Sequence, residues 1–198
     1  MLPRMDFALF LFALATSGTP GPNVLMVATS AANHGIRPVV PHMLGITLGF
    51  PALILACGLG LGSLFEWLPW LHRALQIAGA LWMLTLAWKI ATAPPPGVAE
   101  AKPPLGFWGA AAFQWMNPKA WMIALAALPT FTTPGQPMLP QVAVIAVVFA
   151  AVTLPTLAGW AWMGREAGRW LATPRRLAAF NWTMAALLVL SLVPLVLR

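Results

Sequence analysis

Two short stretches place polar and helix-breaking residues inside otherwise apolar runs. One is Gly18-Thr19-Pro20-Gly21-Pro22-Asn23 and the other is Asn117-Pro118-Lys119. Proline removes a backbone donor and clashes one turn back, so neither stretch can continue a regular helix. Each must end one helix and start another. Asn is a good N-cap and Pro suits the first helical position, so Asn117-Pro118 marks a helix start, and Gly21-Pro22 can begin another. A helix start leaves backbone N–H groups without intrahelical partners. Those groups favour an anion, and a carboxylate fits. Lys119 adds a full positive charge at the same depth in its run. The chemistry these residues suit is the binding of a small carboxylate.

The elements that hold them follow from composition. The chain has 198 residues, 60% hydrophobic and only 8% charged, against about 25% charged in an ordinary soluble domain. Such a chain must be solvated by lipid, where only helices and closed barrels satisfy the backbone. The apolar stretches are long and non-alternating, which selects helices over barrel strands. The net charge of +7 suggests nucleic acid at first, but the basic residues lie between apolar runs, where they orient helices. No nucleic-acid partner is expected. The single Cys57 excludes an intramolecular disulfide, a paired-thiol relay and a cysteine-rich metal site. His34, His42 and His72 lack metal-ligand spacing, and Gly58-Leu59-Gly60-Leu61-Gly62 lacks the Lys-Ser/Thr of a phosphate loop. Neither a metal nor a cofactor is expected.

Six apolar spans can be read: 7–30, 39–64, 70–90, 107–131, 139–163 and 177–197. Arg4 followed by Phe7 to Ala15 resembles a signal peptide, but Asp6 interrupts its basic end and the apolar run resumes at Val24. The expected organisation is one transmembrane domain over 1–198. A first repeat covers about 1–91, a proline-rich linker 92–106, and a second repeat 107–198. Seven basic residues fall in the odd-numbered loops (Arg37, Lys89, Lys102, Arg165, Arg169, Arg175, Arg176) and three on the other side (Arg4, Arg73, Arg198). The positive-inside rule then puts both termini outside and a basic cytoplasmic loop at 165–176. That loop either stays in water or lies on the anionic membrane surface. Trp67, Trp70, Trp88, Trp108 and Trp170 near span ends suit the interface.

Three spans per half mean that the second half enters the membrane upside down relative to the first, as in an inverted repeat. The first span of each half is broken near its middle. Matched Pro/Gly interruptions are the best sequence pointer to a transporter's binding site; the plainer reading is a pair of packing kinks re-satisfied by neighbouring helices. Lys119 is about 12 residues, roughly 18 Å, from the nearest membrane face, too far for snorkelling. It must be met locally by water, backbone carbonyls or substrate. The spacings Gly45–Gly49 and Gly58–Gly62 suit helix packing within one subunit or, alternatively, a homodimer seam.

These residues also carry a resemblance. Thr19-Pro20-Gly21-Pro22-Asn23, Asn33-His34-Gly35 and Gly45-Ile46-Thr47-Leu48-Gly49 resemble the opening of the lysine-exporter (LysE/RhtB-type) family of amino-acid exporters. Gln76 to Leu84 resembles the family's third span, and Gln114-Trp115-Met116-Asn117-Pro118-Lys119-Ala120 resembles its Asn-Pro-Lys signature. The resemblance runs in order from about Thr16 to Ala120. It implies a multi-pass protein of the bacterial cytoplasmic membrane that exports small amino acids or related metabolites on the proton-motive force. It also makes Pro20, Gly21, Pro22, Asn23, Asn117, Pro118 and Lys119 the substrate-site candidates. One departure matters. Phe50 and Pro51 follow Gly49 where some members carry an acidic residue, and Asp6, Glu66, Glu100 and Glu166 lie at or beyond span ends. That disfavours a cationic substrate and leaves the coupling without an obvious carrier: Lys119 or His42 can titrate, or backbone carbonyls at a half-helix C-terminus can instead hold the ammonium or a cation. A membrane enzyme or a non-transporting scaffold is the alternative. The first lacks paired carboxylates or a nucleophile set at membrane depth, and the second does not explain two matched breaks.

Overall fold

In a computed structural model, which describes residues 7–61, 67–92, 103–170 and 173–190, the chain is helical and forms no strand among the described residues. The helices are α1 (Phe7–Gly18), α2 (Pro22–His34), α3 (Val40–Ala56), α4 (Pro69–Ala91), α5 (Phe107–Met116), α6 (Pro118–Phe131), α7 (Met138–Trp170) and α8 (Pro174–Leu190). A 3-10 turn, Arg37–Val39, leads into α3, and a π turn, Cys57–Leu61, ends it. Prolines set several starts: Pro22, Pro69 and Pro118 each occupy a first helical position, where a missing N–H costs nothing. Gly35, at φ 78°, stops α2 and returns its N–H to the Ala31 carbonyl, a conformation that glycine adopts without a Cβ penalty.

The expected first span is α1 plus α2, with α2 running on to His34, and the expected fourth is α5 plus α6. The basic loop expected at 165–176 is a correction. α7 continues through Arg165 as far as Trp170, and α8 starts at Pro174. The apolar run ends before the helix does, because the overhang is held by packing. A Cβ on Gly164 would overlap the Ala28 carbonyl and one on Gly168 the Ala32 carbonyl, so the last turns of α7 lie directly on the α2 backbone. Arg165 meets Glu166 at 2.7 Å on that segment. Arg4, Asp6, Glu66, Glu100, Lys102, Arg198 and most of the proline-rich linker lie outside the described residues.

Two helical stretches, Arg37–Leu61 and Met138–Gly168, are each long and apolar enough to cross a membrane alone, while Phe7–Gly18 and Ile77–Ala91 are shorter apolar helices. Polarity is distributed inside out. Gln114, Asn117, Asn181, His42 and Thr153 are buried, whereas Leu48, Leu81, Trp108, Val147, Trp162 and Trp182 are exposed. Trp67, Trp70 and Trp88 also point outward. All of these buried polar side chains but His42 are hydrogen-bonded, and the exposed apolar side chains suit a lipid solvent.

Each half's broken span packs on the other half's second long helix: α1 and α2 on α7, and α5 on α3. α3 also packs on α7, and α4 on α8. Register fixes the directions. Gly45 closes on Phe107 and Gly49 on Ala111, so numbers rise together and α3 runs parallel to α5. By the same test α7 runs parallel to α2. The Gly45–Gly49 face is therefore occupied within the chain, and Gly58 lies against Val142; Gly62 is outside the described residues. The core is divided in two. One cluster holds Val24–Val27, Met43, Ile46, Phe113 and Leu157. The other holds Leu9, Phe50, Leu53, Trp121, Ala124 and Phe149. Both helix breaks fall between them.

Candidate functional site

The first break opens between Gly18 and Pro22. Gly21 is fully extended, at φ −177° and ψ 179°, and no side chain caps α2. Pro22 has no N–H to offer, Leu25 donates to the Gly21 carbonyl at 3.0 Å, and the N–H groups of Asn23 and Val24 have no acceptor among the described residues. On the other side of the gap α1 ends in carbonyls that lack intrahelical donors. Two distant side chains supply them. The Trp160 indole N–H donates to the Gly18 carbonyl at 3.3 Å, and the Lys119 Nζ donates to the Thr19 carbonyl at 2.8 Å.

The second break is a single residue wide. Asn117 is extended, its Oδ1 accepts from the Lys119 N–H at 3.1 Å, and its carbonyl accepts from the Ala120 N–H at 2.9 Å. This is the N-cap with Pro at N1 that the sequence pattern expects. The α5 end is closed locally as well. The Trp121 Nε1 donates to the Trp115 carbonyl at 2.8 Å, and Gly79 of α4 lets the Met116 carbonyl lie against its Cα, where a Cβ would overlap it.

A cavity of about 40 Å³ lies between the breaks. It is lined by Thr16, Ser17 and Thr19 from the end of α1, and by Gly21, Pro22, Asn23, Asn117 and Lys119 from the breaks. Thr153 and Leu157 of α7 face it from one side, and Ile46 and Phe50 of α3 from the other. At roughly 10–15 Å³ per water on the same measure, it holds about three waters. Of the seven sequence candidates, five line it. Pro20 is exposed and Pro118 is buried, and neither reaches the cavity. The Lys119 side chain crosses the gap so closely that a Cβ on Gly21 would come within 2.9 Å of its Cδ and Nζ. Lys119 is met locally, by a backbone carbonyl.

Other contributors are less visible in the sequence. The Asn23 Nδ2 donates to the Gln114 Oε1 at 2.8 Å, and the Gln114 Nε2 donates back to the Asn23 Oδ1 at 3.2 Å and to the Ala110 carbonyl at 2.9 Å. This reciprocal amide pair joins the two halves beside the cavity. Gln114 belongs to the stretch around the second break, but only its partner shows its use. The Ser17 and Thr153 hydroxyls meet at 3.3 Å. A lone threonine in an apolar helix carries no signal of its own. His42 lies elsewhere, in the first turn of α3, buried with neither ring nitrogen bonded, and the buried Thr29 hydroxyl is likewise unpartnered.

The electrostatics are one-sided. Glu166, bonded to Arg165, is the one acidic side chain among the described residues. Lys119, Asn23 and Val24 thus line one cavity with no described carboxylate among its lining residues. A helix N-terminus carries roughly half a positive charge, so the arrangement is short of an anion.

Comparison with known proteins gives the family. The family model described as LysE type translocator matches residues 14–197. Curated relatives include the cysteine/O-acetylserine efflux proteins of Escherichia coli (strain UTI89 / UPEC) and Shigella sonnei (strain Ss046). Each is 34% identical over 152 residues, which cover 77% of this chain and 78% of the relative. No solved structure matches the chain. A family match over nearly the whole length puts the chain among membrane transport proteins and not among enzymes: it belongs to the LysE type translocator family.

Proposed function

We propose that this protein exports small neutral amino acids or closely related metabolites across the bacterial cytoplasmic membrane. The observation that carries the reading is the Lys119 ammonium, held across the first break by the Thr19 carbonyl in the cavity that Asn23 and Val24 also line. A substrate carboxylate would take its charge partner from Lys119 and its hydrogen bonds from the α2 N-terminus. The missing acidic partner disfavours lysine-like cations and favours compact zwitterions. The relatives, which are cysteine/O-acetylserine efflux proteins, point the same way. Pro20 and Pro118 take part by shaping the breaks, and Gly21, Pro22, Asn23, Asn117 and Lys119 by facing the substrate.

The membrane arrangement we propose has six spans, as two inverted three-span repeats at about 1–91 and 107–198, joined by a cytoplasmic linker at 92–106, with both termini outside. The parallel packing of α3 with α5 and of α2 with α7 supports it. When consecutive spans alternate in direction, the first and fourth spans then run oppositely. The proton-motive force is the proposed drive, with Lys119 or His42 as the titrating group. Reporter fusions at Gly35 and in the linker should behave as cytoplasmic.

The decisive experiment is transport. Purified protein in liposomes, loaded with a panel of radiolabelled amino acids, should move cysteine or O-acetylserine down an imposed gradient and more slowly move lysine or arginine. Flux of none of the panel above protein-free liposomes would reject the reading.

A further inference from the structure

Lys119 spans the cavity and leaves room beside it for about three waters. The cavity's volume is about 40 Å³, and the lysine's four-carbon stem and ammonium occupy the space next to Gly21. The bond that keeps the side chain there is not to an anion. It is to the Thr19 carbonyl at 2.8 Å, at the C-terminal end of α1, where the helix dipole is negative and cations are favoured. The neighbouring Gly18 carbonyl is taken by Trp160, and the Ser17 and Thr153 hydroxyls stand at the same end of the cavity. The α1 terminus is therefore a cation site, and it is filled by a cation that belongs to the chain.

Resting on the export reading above, we infer that Lys119 is a tethered stand-in for the substrate's own α-ammonium group. In the resting protein its ammonium holds the Thr19 carbonyl. On binding, the substrate ammonium takes that carbonyl and the substrate carboxylate draws Lys119 away toward the N–H groups of Asn23 and Val24. One ligand completes both exchanges only if it carries both charges on adjacent positions. The substrate class is compact α-amino acids with a free carboxylate and a free ammonium. An amine alone must displace a tethered competitor whose effective concentration is millimolar or more and gives Lys119 no new partner. A carboxylate alone takes Lys119 from the Thr19 carbonyl and puts nothing in its place, so the charged hydrogen bond made at rest is lost.

Two substitutions separate this inference from the simpler idea that Lys119 only attracts carboxylates. Lys119→Met removes the ammonium and keeps the stem. Gly21→Ala keeps the charge but puts a Cβ within 2.9 Å of the lysine Cδ and Nζ, so the side chain must leave its resting place. The extended backbone at Gly21 accepts any residue, so the variant is not strained. Binding of L-cysteine, cysteamine and 3-mercaptopropionate to detergent-purified, monodisperse protein would be measured by calorimetry under reducing conditions. The unsubstituted protein should bind L-cysteine at least tenfold more tightly than either analogue. Emptying the carbonyl site nine-tenths of the time occupied by lysine raises apparent amine affinity about tenfold. Cysteamine should therefore bind Lys119→Met, and to a lesser degree Gly21→Ala, more tightly than it binds the parent, while L-cysteine binding to Lys119→Met weakens.

If Lys119→Met loses L-cysteine but gains nothing for cysteamine, the stand-in is overturned and the carboxylate role survives. If 3-mercaptopropionate matches L-cysteine on the parent, the two-charge requirement falls. Should the parent bind none of the three, nor O-acetyl-L-serine, the inference and the substrate reading fall together. Should Lys119→Met not purify as a monodisperse species, the cysteamine affinity of Gly21→Ala decides, and an unchanged value counts against the stand-in.

Discussion

The two breaks look alike in sequence and differ in how their backbone groups are satisfied. At the second, every hydrogen bond is local, and the one distant neighbour, Gly79 of α4, meets the break by packing. Asn117 caps α6, Trp121 reaches the Trp115 carbonyl, and Gly79 closes on Met116. At the first, the α1 carbonyls are met from far along the chain by Lys119 and Trp160, and the α2 N–H groups of Asn23 and Val24 are left open. A break closed by its own residues is a rigid frame. A break closed by a long flexible side chain from the other half can be opened by exchanging that side chain for a ligand. Matched placement thus yields one break closed by its own residues and one closed from the other half, which supplies the lysine.

The strongest way to break this contrast is at Gly79. A Val there must push against the Met116 backbone, which cannot give as a side chain tip does, and overpacking of this kind costs about 1–3 kcal/mol or more. Gly79→Val should lose most of its monodisperse protein in size-exclusion profiles. A parental melting temperature for it would show that the second break is not a rigid frame.

Next is Lys119. Its replacement by Ala removes a charge that is costly to insert, by roughly 2.5–3.5 kcal/mol at a helix centre, so membrane abundance should hold. Efflux should fall by about tenfold or more, the range of one charged hydrogen bond. Lys119→Arg should not fully restore it, because a planar guanidinium differs in size and hydrogen-bond geometry. Export at the parental rate and equal abundance would deny the lysine its role.

A smaller effect is expected where the halves are bridged. Asn23→Ala leaves the buried Gln114 amide short of a partner, at about 1–3 kcal/mol. Removing both amides should cost less than the sum of the single changes, since the pair is one interaction. Thermal melting of the two single variants and the double variant measures the coupling, and strict additivity would show that the two amides act independently.

The smallest effect sharpens the other side of the contrast. Asn117→Ala removes a local cap at about 1 kcal/mol, and Asn117→Asp, which keeps an accepting oxygen, should recover most of it in the same melting assay. A loss that Asp does not reduce would assign Asn117 something other than capping.

The sequence by itself determined what short-range chemistry and solvent dictate. Low charge required lipid-compatible helices, Pro and Gly fixed where α1 and α5 stop, and Asn117-Pro118 specified its own cap, because all of these act within a few residues. It also required that Lys119 find a local partner, from helix rise alone. What it could not supply was which partner. The Thr19 carbonyl is a hundred positions away in the chain, and only the packing of α1 on α7 and of α5 on α3 brings it to the lysine. The amide exchange between Asn23 and Gln114 and the hydroxyl pair of Ser17 and Thr153 were hidden for the same reason. The continuation of α7 to Trp170 is not legible in the sequence, because the apolar run ends before Arg165 while the helix beyond it is held by contact of Gly164 and Gly168 with α2. Local pattern set where the chain breaks; tertiary packing alone decided which break is closed by its own residues and which by a lysine from the other half.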